Sequence, residues 1–297
     1  MTWRWGIVGP GRIAGQFAAG MSSLSDGVIT AVASRSQSRA DDFGDRYGVA
    51  NRYGDLKALV EDPEVDVVYV ATPQSEHAEV ALAALDAGKH VLCEKPMALS
   101  ARQVGEMTQR ARSNGLFLME AMWSRFLPSY FALRDILATG RLGEPLVVEA
   151  DFGFRAPVSP DHRLFNPALG GGALLDLGIY AIQLCSMVFG GPPYRIAADG
   201  VVGSTGVDEK VAAVLQYPSN GLGVSRPRYG SACRAPAGSP VATGGSTCPR
   251  SCTVLSTSRS AVGVALSGWS AVTKGKVSVS RRWRSTGASL TARRRVL

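Results

Sequence analysis

The sequence predicts an α/β protein in two parts: a doubly wound parallel sheet at the N-terminus, then an α+β domain. Three observations carry this. Over the first 120 residues, short β-branched runs alternate with longer helical patterns across short connections, as βαβ units do. After about Ala121 that rhythm gives way to a helix, an alternating strand, a polar loop and a long apolar helix. The chain has 297 residues, 45% of them hydrophobic and 19% charged, which suits one or two packed domains and excludes a disordered chain, a collagen and a small disulfide scaffold.

Taken in order, Trp3–Val8 reads as a strand, Arg12–Leu24 as a helix, Val28–Ser34 as a strand and Arg39–Tyr47 as a helix. Leu56–Glu61 is a short helix and Val65–Ala71 (VDVVYVA) a strand buried on both faces. His77–Ala87 is an Ala-rich helix, His90–Cys93 a strand, Ala101–Asn114 a helix and Leu116–Met119 a strand. In the second part Pro128–Ala138 is helical and Pro145–Phe152 is an alternating strand. A long helix opens at Gly170-Gly171-Gly172, and Lys210–Tyr217 (KVAAVLQY) is a strand with one buried face. The expected divisions are 1–122, a dinucleotide-binding domain; 123–224, a partial α+β domain, which the family resemblance given below makes a substrate and dimerisation domain; and 225–297, an atypical basic tail.

The formal charge of +8 is unevenly placed. From Gly221 onward there are thirteen Arg and Lys and no Asp or Glu, so the preceding 220 residues are mildly acidic. The five cysteines, three of them Cys233, Cys248 and Cys252, form no CxxC pair and have no histidine at zinc spacing; neither a disulfide framework nor a metal site is expected. No secretory leader follows Met1, and the apolar run Leu174–Phe189 carries Asp176 and Gln183, so the expected setting is reducing, cytoplasmic and away from membranes.

The first turn places Gly9, Gly11 and Ala14 in G-x-G-x-x-[GA] between a strand and a helix. The first glycine makes the turn, the second admits a pyrophosphate and the small third residue lets helix and strand pack, with the phosphates at the helix N-terminus. Gly9, Gly11, Arg12 and Ile13 are therefore candidate cofactor residues of a Rossmann arrangement. The second strand ends in Ser34-Arg35-Ser36, with Arg39 one turn on, where an NAD-binding chain would carry an acid. A guanidinium suits a 2′-phosphate and a carboxylate repels it, so NADP is expected over NAD; Arg35 as a solvated loop arginine is the alternative. Strands in such sheets present ligands at their carboxyl ends, which brings in Thr72, Pro73 and His77 after one strand and Glu94 and Lys95 after the next.

With GIVGPGRIA, SRS, ATPQSEH and HVLCEKP in this order, the chain resembles the Gfo/Idh/MocA oxidoreductases; EAMWSRFLP (Glu120–Pro128) and GGGALLDLGIY (Gly170–Tyr180) are similar to its dihydrodiol dehydrogenase, glucose-fructose and xylose oxidoreductase branch. The resemblance covers roughly residues 1–220. It implies that Lys95 lies beside the nicotinamide and the reacting oxygen, that Tyr180 transfers the proton and that Asp176 is its neighbour. The spacing agrees, because positions 176 and 180 are one α-helical turn apart. Alcohol oxidation needs a base for the hydroxyl proton, and an ammonium near a tyrosine favours the phenolate. The resemblance also places Trp123, Arg125 and His77 at the cofactor cleft; packing for Trp123 and a salt bridge for Arg125 are equally open. His90 reads as structural; Arg163, in DHRLFNP, is open between reaching the substrate region and, as the preferred reading, a surface loop position. A small sugar, polyol or diol substrate and a homodimer or higher homo-oligomer are the implied partners.

Beyond about Ser225 the resemblance stops; it implies further strands that complete a mostly antiparallel open sheet in the second domain, so that sheet is expected to be incomplete here. The basic segment, with Trp269 and Trp283, has three readings: a nucleic-acid tail without a recognised module, a disordered Ser/Arg-rich extension, or out-of-frame translation of a GC-rich coding sequence. The complete lack of acids favours the third, and nucleic acid is not an expected partner.

Overall fold

The computed structural model describes residues 2–140 and 143–230, together with the backbone of three strands beyond them. It divides into two compact units, Met1–Met122 with Ala168–Gly170, and Trp123–Pro167 with Gly171–Leu297.

The first unit is built on six parallel strands: β1 (Trp3–Val8), β2 (Gly27–Ala33), β3 (Asn51–Tyr53), β4 (Val67–Val70), β5 (His90–Glu94) and β6 (Leu118–Ala121). Their spatial order is β3-β2-β1-β4-β5-β6, so the sheet reverses direction of growth between β1 and β4, the place where such sheets open a ligand crevice. The crossover helices are α1 (Arg12–Met21), α2 (Gln37–Tyr47), α3 (Leu56–Glu61), α4 (His77–Asp86) and α5 (Ala101–Ser113). Alternating strand residues supply two faces. Ile7, Val32 and Tyr69 pack with Ala14, Ala18 and Phe43, while Val8, Val68 and Val70 pack with Leu59, Leu85 and Met107. Each large apolar side chain so enclosed contributes about 1.5–3 kcal/mol relative to exposure. Asp55 and Ser100 cap α3 and α5, accepting hydrogen bonds from the backbone N–H of Ala58 and Gln103. The sequence reading lacks β3, whose three residues Asn51-Arg52-Tyr53 show no apolar period; pairing with Ala31–Ala33 at the sheet edge makes it a strand.

The second unit holds α6 (Pro128–Ala138), β7 (Pro145–Phe154), a π-turn at Leu174–Gly178 leading into α7 (Ile179–Phe189), and then β8 (Arg195–Val202), β9 (Asp208–Gln216) and β10 (Leu222–Tyr229). Three further strands, β11 (Arg250–Thr257), β12 (Ala261–Ser267) and β13 (Val279–Arg281), complete the spatial order β13-β12-β11-β7-β10-β9-β8. Only the β7–β10 pair is parallel among those described. Tyr130 and Leu133 of α6 and Ala181, Leu184 and Cys185 of α7 cover Val148, Ala150, Leu215 and Tyr217 of this sheet. The stretch Pro167–Phe189, of mean hydropathy 1.6, matches a membrane span by length and composition, yet half of it is buried within the protein, as in a core helix.

Two strands escape the sequence reading here. β8 is exposed along its whole length, so no buried face marks it. β10 runs to Tyr229, past the expected boundary at 224, although it contains Pro227. Its ladder to β9 skips Arg226 and Pro227, where proline has no N–H to give. The segment 225–297 is likewise not wholly apart from the fold. Its backbone adds β11 to the free edge of β7, whose unpaired N–H and C=O groups are a template for any extended chain. Cys233, Cys248, Trp269 and Trp283 lie outside the described residues.

Candidate functional site

The glycine turn follows β1. Gly9 has φ +90°, and a Cβ there would stand 2.8 Å from the backbone of Ala71 and Thr72, so glycine is required twice over, for conformation and for space. Its N–H bonds the carbonyl of Ala33 at 3.0 Å, tying the ends of β1 and β2. Gly11 differs: a Cβ there meets nothing within 4 Å, so the position faces open space at the start of α1. Arg12 is exposed, Ile13 half-buried and Ala14 fully buried. Between α1 and α2 lies an open groove of about 910 Å³ whose lining includes Gly11, Arg12, Gln16, Arg39 and Arg46. Three guanidiniums against the one carboxylate of Asp42 leave the groove with an anion-attracting field.

Arg35 extends from the end of β2 with its side chain 85% exposed and one nitrogen 3.2 Å from Glu76. An ion pair this exposed contributes little to stability. Ser34 accepts a hydrogen bond from the N–H of Ser36 at 3.3 Å. After β4, the hydroxyl of Thr72 is buried without a hydrogen-bond partner, and Pro73 leads into a short turn before α4. His77 is 1% exposed. Its Nδ1 lies 2.8 Å from the carbonyl of Pro96 and its Nε2 3.1 Å from the carbonyl of Thr72, so the ring joins the chain after β4 to the chain after β5. Burial holds its pKa below the ordinary histidine value.

Lys95 follows β5 and precedes a cis peptide bond to Pro96. Glu94, buried, accepts from the Tyr69 hydroxyl at 2.6 Å and from the Lys95 N–H at 3.1 Å. Glu120 of β6 accepts from the Met97 N–H at 2.8 Å. Burial pushes both carboxyl groups above the usual carboxylate range. Tyr69 does not stand out in the sequence, since it belongs to a strand that reads as apolar, and Glu120 enters only as the first residue of the EAMWSRFLP motif.

In the second unit, Tyr180 near the start of α7 is 8% exposed, and its hydroxyl oxygen accepts a hydrogen bond from Trp123 Nε1 at 3.0 Å. Edge-on contacts with Trp123 and Phe152, at 6.1 and 5.5 Å between ring centres, fix its ring. Trp123 thus does more than pack. Arg125, in the same short turn, is exposed.

Asp176 sits inside the π-turn, so the α-helical spacing assumed between it and Tyr180 is replaced by a wider turn. Its Oδ1 is 3.2 Å from Arg163, a half-exposed guanidinium that is therefore tied to a buried acid and is no bystander on a surface loop. The Tyr229 hydroxyl lies 3.3 Å from Asp176 Oδ2 and 3.0 Å from the carbonyl of Gly172. Asp208 accepts from the N–H of Leu174 at 2.6 Å and fills the space a side chain at Gly172, φ +131°, would need. The Gly170–Gly172 run therefore serves the turn as well as opening a helix. Tyr229, in a stretch that reads as foreign, and Asp208 carried no signal in the sequence.

Two family descriptions match the chain: the Gfo/Idh/MocA oxidoreductase family's NAD-binding Rossmann fold over residues 3–122, and a Gfo/Idh/MocA C-terminal domain over 130–232. The trans-1,2-dihydrobenzene-1,2-diol dehydrogenase of Mus musculus is 47% identical over 221 residues, 73% of this chain and 66% of that protein. The Homo sapiens protein of the same name is 45% identical over the same length. The chain thus spans just under two-thirds of the length of these relatives. Among solved structures, a mutant of KijD10, a 3-ketoreductase from Actinomadura kijaniata in complex with TDP-benzene and NADP, superposes with TM-score 0.77 at 26% identity, covering 90% of this chain and 77% of that one. An NAD binding oxidoreductase from Klebsiella pneumoniae gives 0.74 at 25% identity, over 95% and 76%. The glycine turn and the reversing parallel sheet fall within the first family match and β7 to β10 of the second sheet within the other, and the chain belongs to the Gfo/Idh/MocA family of oxidoreductases.

Proposed function

We propose that the protein is an NADP-dependent dehydrogenase acting on the hydroxyl-bearing carbon of a sugar, polyol or trans-dihydrodiol. The observation that carries this reading is the pairing of Tyr180 with Trp123. The indole N–H donates and the phenol oxygen accepts, so the hydroxyl is engaged here as an acceptor, the role a proton-transfer group takes toward an alcohol. A donor at that oxygen also favours the phenolate needed to take a proton from an alcohol. Lys95 is assigned to the substrate oxygen as an electrostatic partner, and Asp176, held by Arg163 and Tyr229, to orienting the substrate.

The residues present fit a dinucleotide: Gly9 closes the turn, Gly11 leaves open space where a phosphate would approach, and Thr72 keeps an unmet hydroxyl. When bound, the cofactor accepts or returns the hydride at its nicotinamide ring. Arg12, Arg35 and Arg39 are assigned to its phosphates, with Arg39 on the groove and Arg35 released from an exposed pair. Removing both Arg35 and Arg39 by substitution to Ala is expected to weaken NADP binding about 10- to 100-fold while NAD binding holds, since charge-assisted hydrogen bonds contribute about 1.5–3 kcal/mol. Titration calorimetry with both dinucleotides checks this; equal weakening of the two overturns the NADP assignment.

The acid-free composition after Gly221 favours a second reading: a product of altered reading frame that keeps cofactor binding without turnover, or a non-catalytic NADP-binding protein. Translating the other two frames after the codon for Gly223 is expected to yield an acidic continuation with alternating strands. If neither frame does so, the frame explanation fails.

A further inference from the structure

The groove between α1 and α2 is longer than the cofactor's phosphates require. Both helices run back from the carboxyl end of the parallel sheet, so Arg12 and Arg39 mark the end of the groove nearest the glycine turn, and Arg46, in the last turn of α2, marks the far end. Arg39, Asp42 and Arg46 follow one another at steps of three and four along α2 and so share one face. A Cβ at Gly15 of α1 would stand 2.5 Å from the Tyr47 hydroxyl, so glycine there lets the second helix lean across the first and floor the groove. Asp42 is placed at the spacings where helical ion pairs form with both arginines. Yet among the described residues the side chains of Arg39 and Arg46 have neither an ion pair nor a hydrogen bond. Elsewhere in this unit Arg4, Arg52, Arg102 and Arg110 each pair with a carboxylate. Two unmatched guanidiniums seven residues apart, about 10 Å along the helix, suit a ligand that carries negative charge at both ends.

We propose that this groove binds an oligophosphate of about triphosphate length, with Arg39 at one end and Arg46 at the other. A single phosphate engages one guanidinium at a time, whereas a chain of three engages both, and the second contact is then made at high effective concentration. Gln16 offers an amide donor from the opposite wall. The far end of the groove lies a helix length away from the turn that receives a dinucleotide's pyrophosphate, so the two ligands meet only at the near end. Occupancy of the groove therefore competes with NADP through Arg39 and leaves NAD in place. That competition rests on the NADP reading above; binding of the phosphate chain does not.

Titration calorimetry of the full chain with tripolyphosphate and with orthophosphate, at low ionic strength where surface charge is least screened, tests this. Tripolyphosphate is expected to bind at least about tenfold more tightly than orthophosphate, and Arg46→Gln to weaken it about tenfold. The control is Arg112→Gln, which removes an exposed charge from α5, packed on the opposite face of the sheet, and is expected to change the affinity less than about twofold. Equal loss in the two variants, or affinity that ignores chain length, overturns the proposal. The glycine turn is itself a place for a short phosphate chain, so the titration is repeated with NAD at saturation. Tripolyphosphate binding is expected to persist, and its disappearance overturns the groove as the site. ATP in place of tripolyphosphate separates the two sources of such a chain: equal affinity means that the phosphates alone are read, and tighter binding places the nucleoside in the groove as well. If Arg39→Ala leaves NADP binding unchanged, the cofactor assignment falls, and the Arg46→Gln titration alone decides the groove.

Discussion

Tyr180→Phe is expected to lower kcat by about 10²–10⁴-fold while dinucleotide affinity stays within twofold, the range that a positioned proton-transfer group supplies. The substitution is close to a pure deletion of one hydroxyl. The ring stays clamped between Trp123 and Phe152 in a pocket that leaves it 8% exposed. What is lost is the acceptor for the Trp123 N–H, at a cost of about 1 kcal/mol in stability. A small drop in melting temperature beside a large drop in turnover therefore separates chemistry from folding. Absorbance of the reduced cofactor reports the first and calorimetry the second. Full activity in this variant would remove Tyr180 from the mechanism.

Lys95→Met is expected to cost about 10²–10³-fold in kcat, the scale of removing one donor aimed at developing negative charge. Unlike the tyrosine change, it also carries a pH signature in stability. Burial sets the folded pKa values of Glu94 and Glu120 above the ordinary 4.5, so their contribution to stability is complete below that value and is lost as pH rises through the folded values. Without the ammonium these values rise further. The melting-temperature deficit of Lys95→Met against the parent should thus be small near pH 4 and grow toward pH 8. A deficit independent of pH would mean that the lysine and the two carboxylates are uncoupled.

Much of the first unit was legible because its signals are local. A four-residue buried strand such as Val67–Val70 announces itself by apolar content, and Gly9 by the turn it makes between strand and helix. Tyr69 was silent and Glu120 entered only within a motif, because their importance arises only when β4, β5 and β6 lie side by side. The same holds in the second unit. Sequence spacing linked Asp176 to Tyr180 as α-helical neighbours, but a π-turn has no reliable sequence mark, and the partners Arg163 and Tyr229 come from 13 residues before and 53 after the acid. β8 and β10 were missed for opposite reasons, one having no buried face and the other carrying a proline inside a central position.

The π-turn at Leu174–Gly178 has a consequence for how this protein can change. It stores one residue beyond what an α-turn requires. Deleting a single residue from it would close the wide turn to an α-turn and leave α7 seated on its sheet, while displacing the residues of the turn itself. Asp176 would leave Arg163 and Tyr229 without any side chain having been substituted. Loss of one codon in this short run is thus a route to new partners for Asp176 that keeps the core of α7 and the cofactor turn as they are.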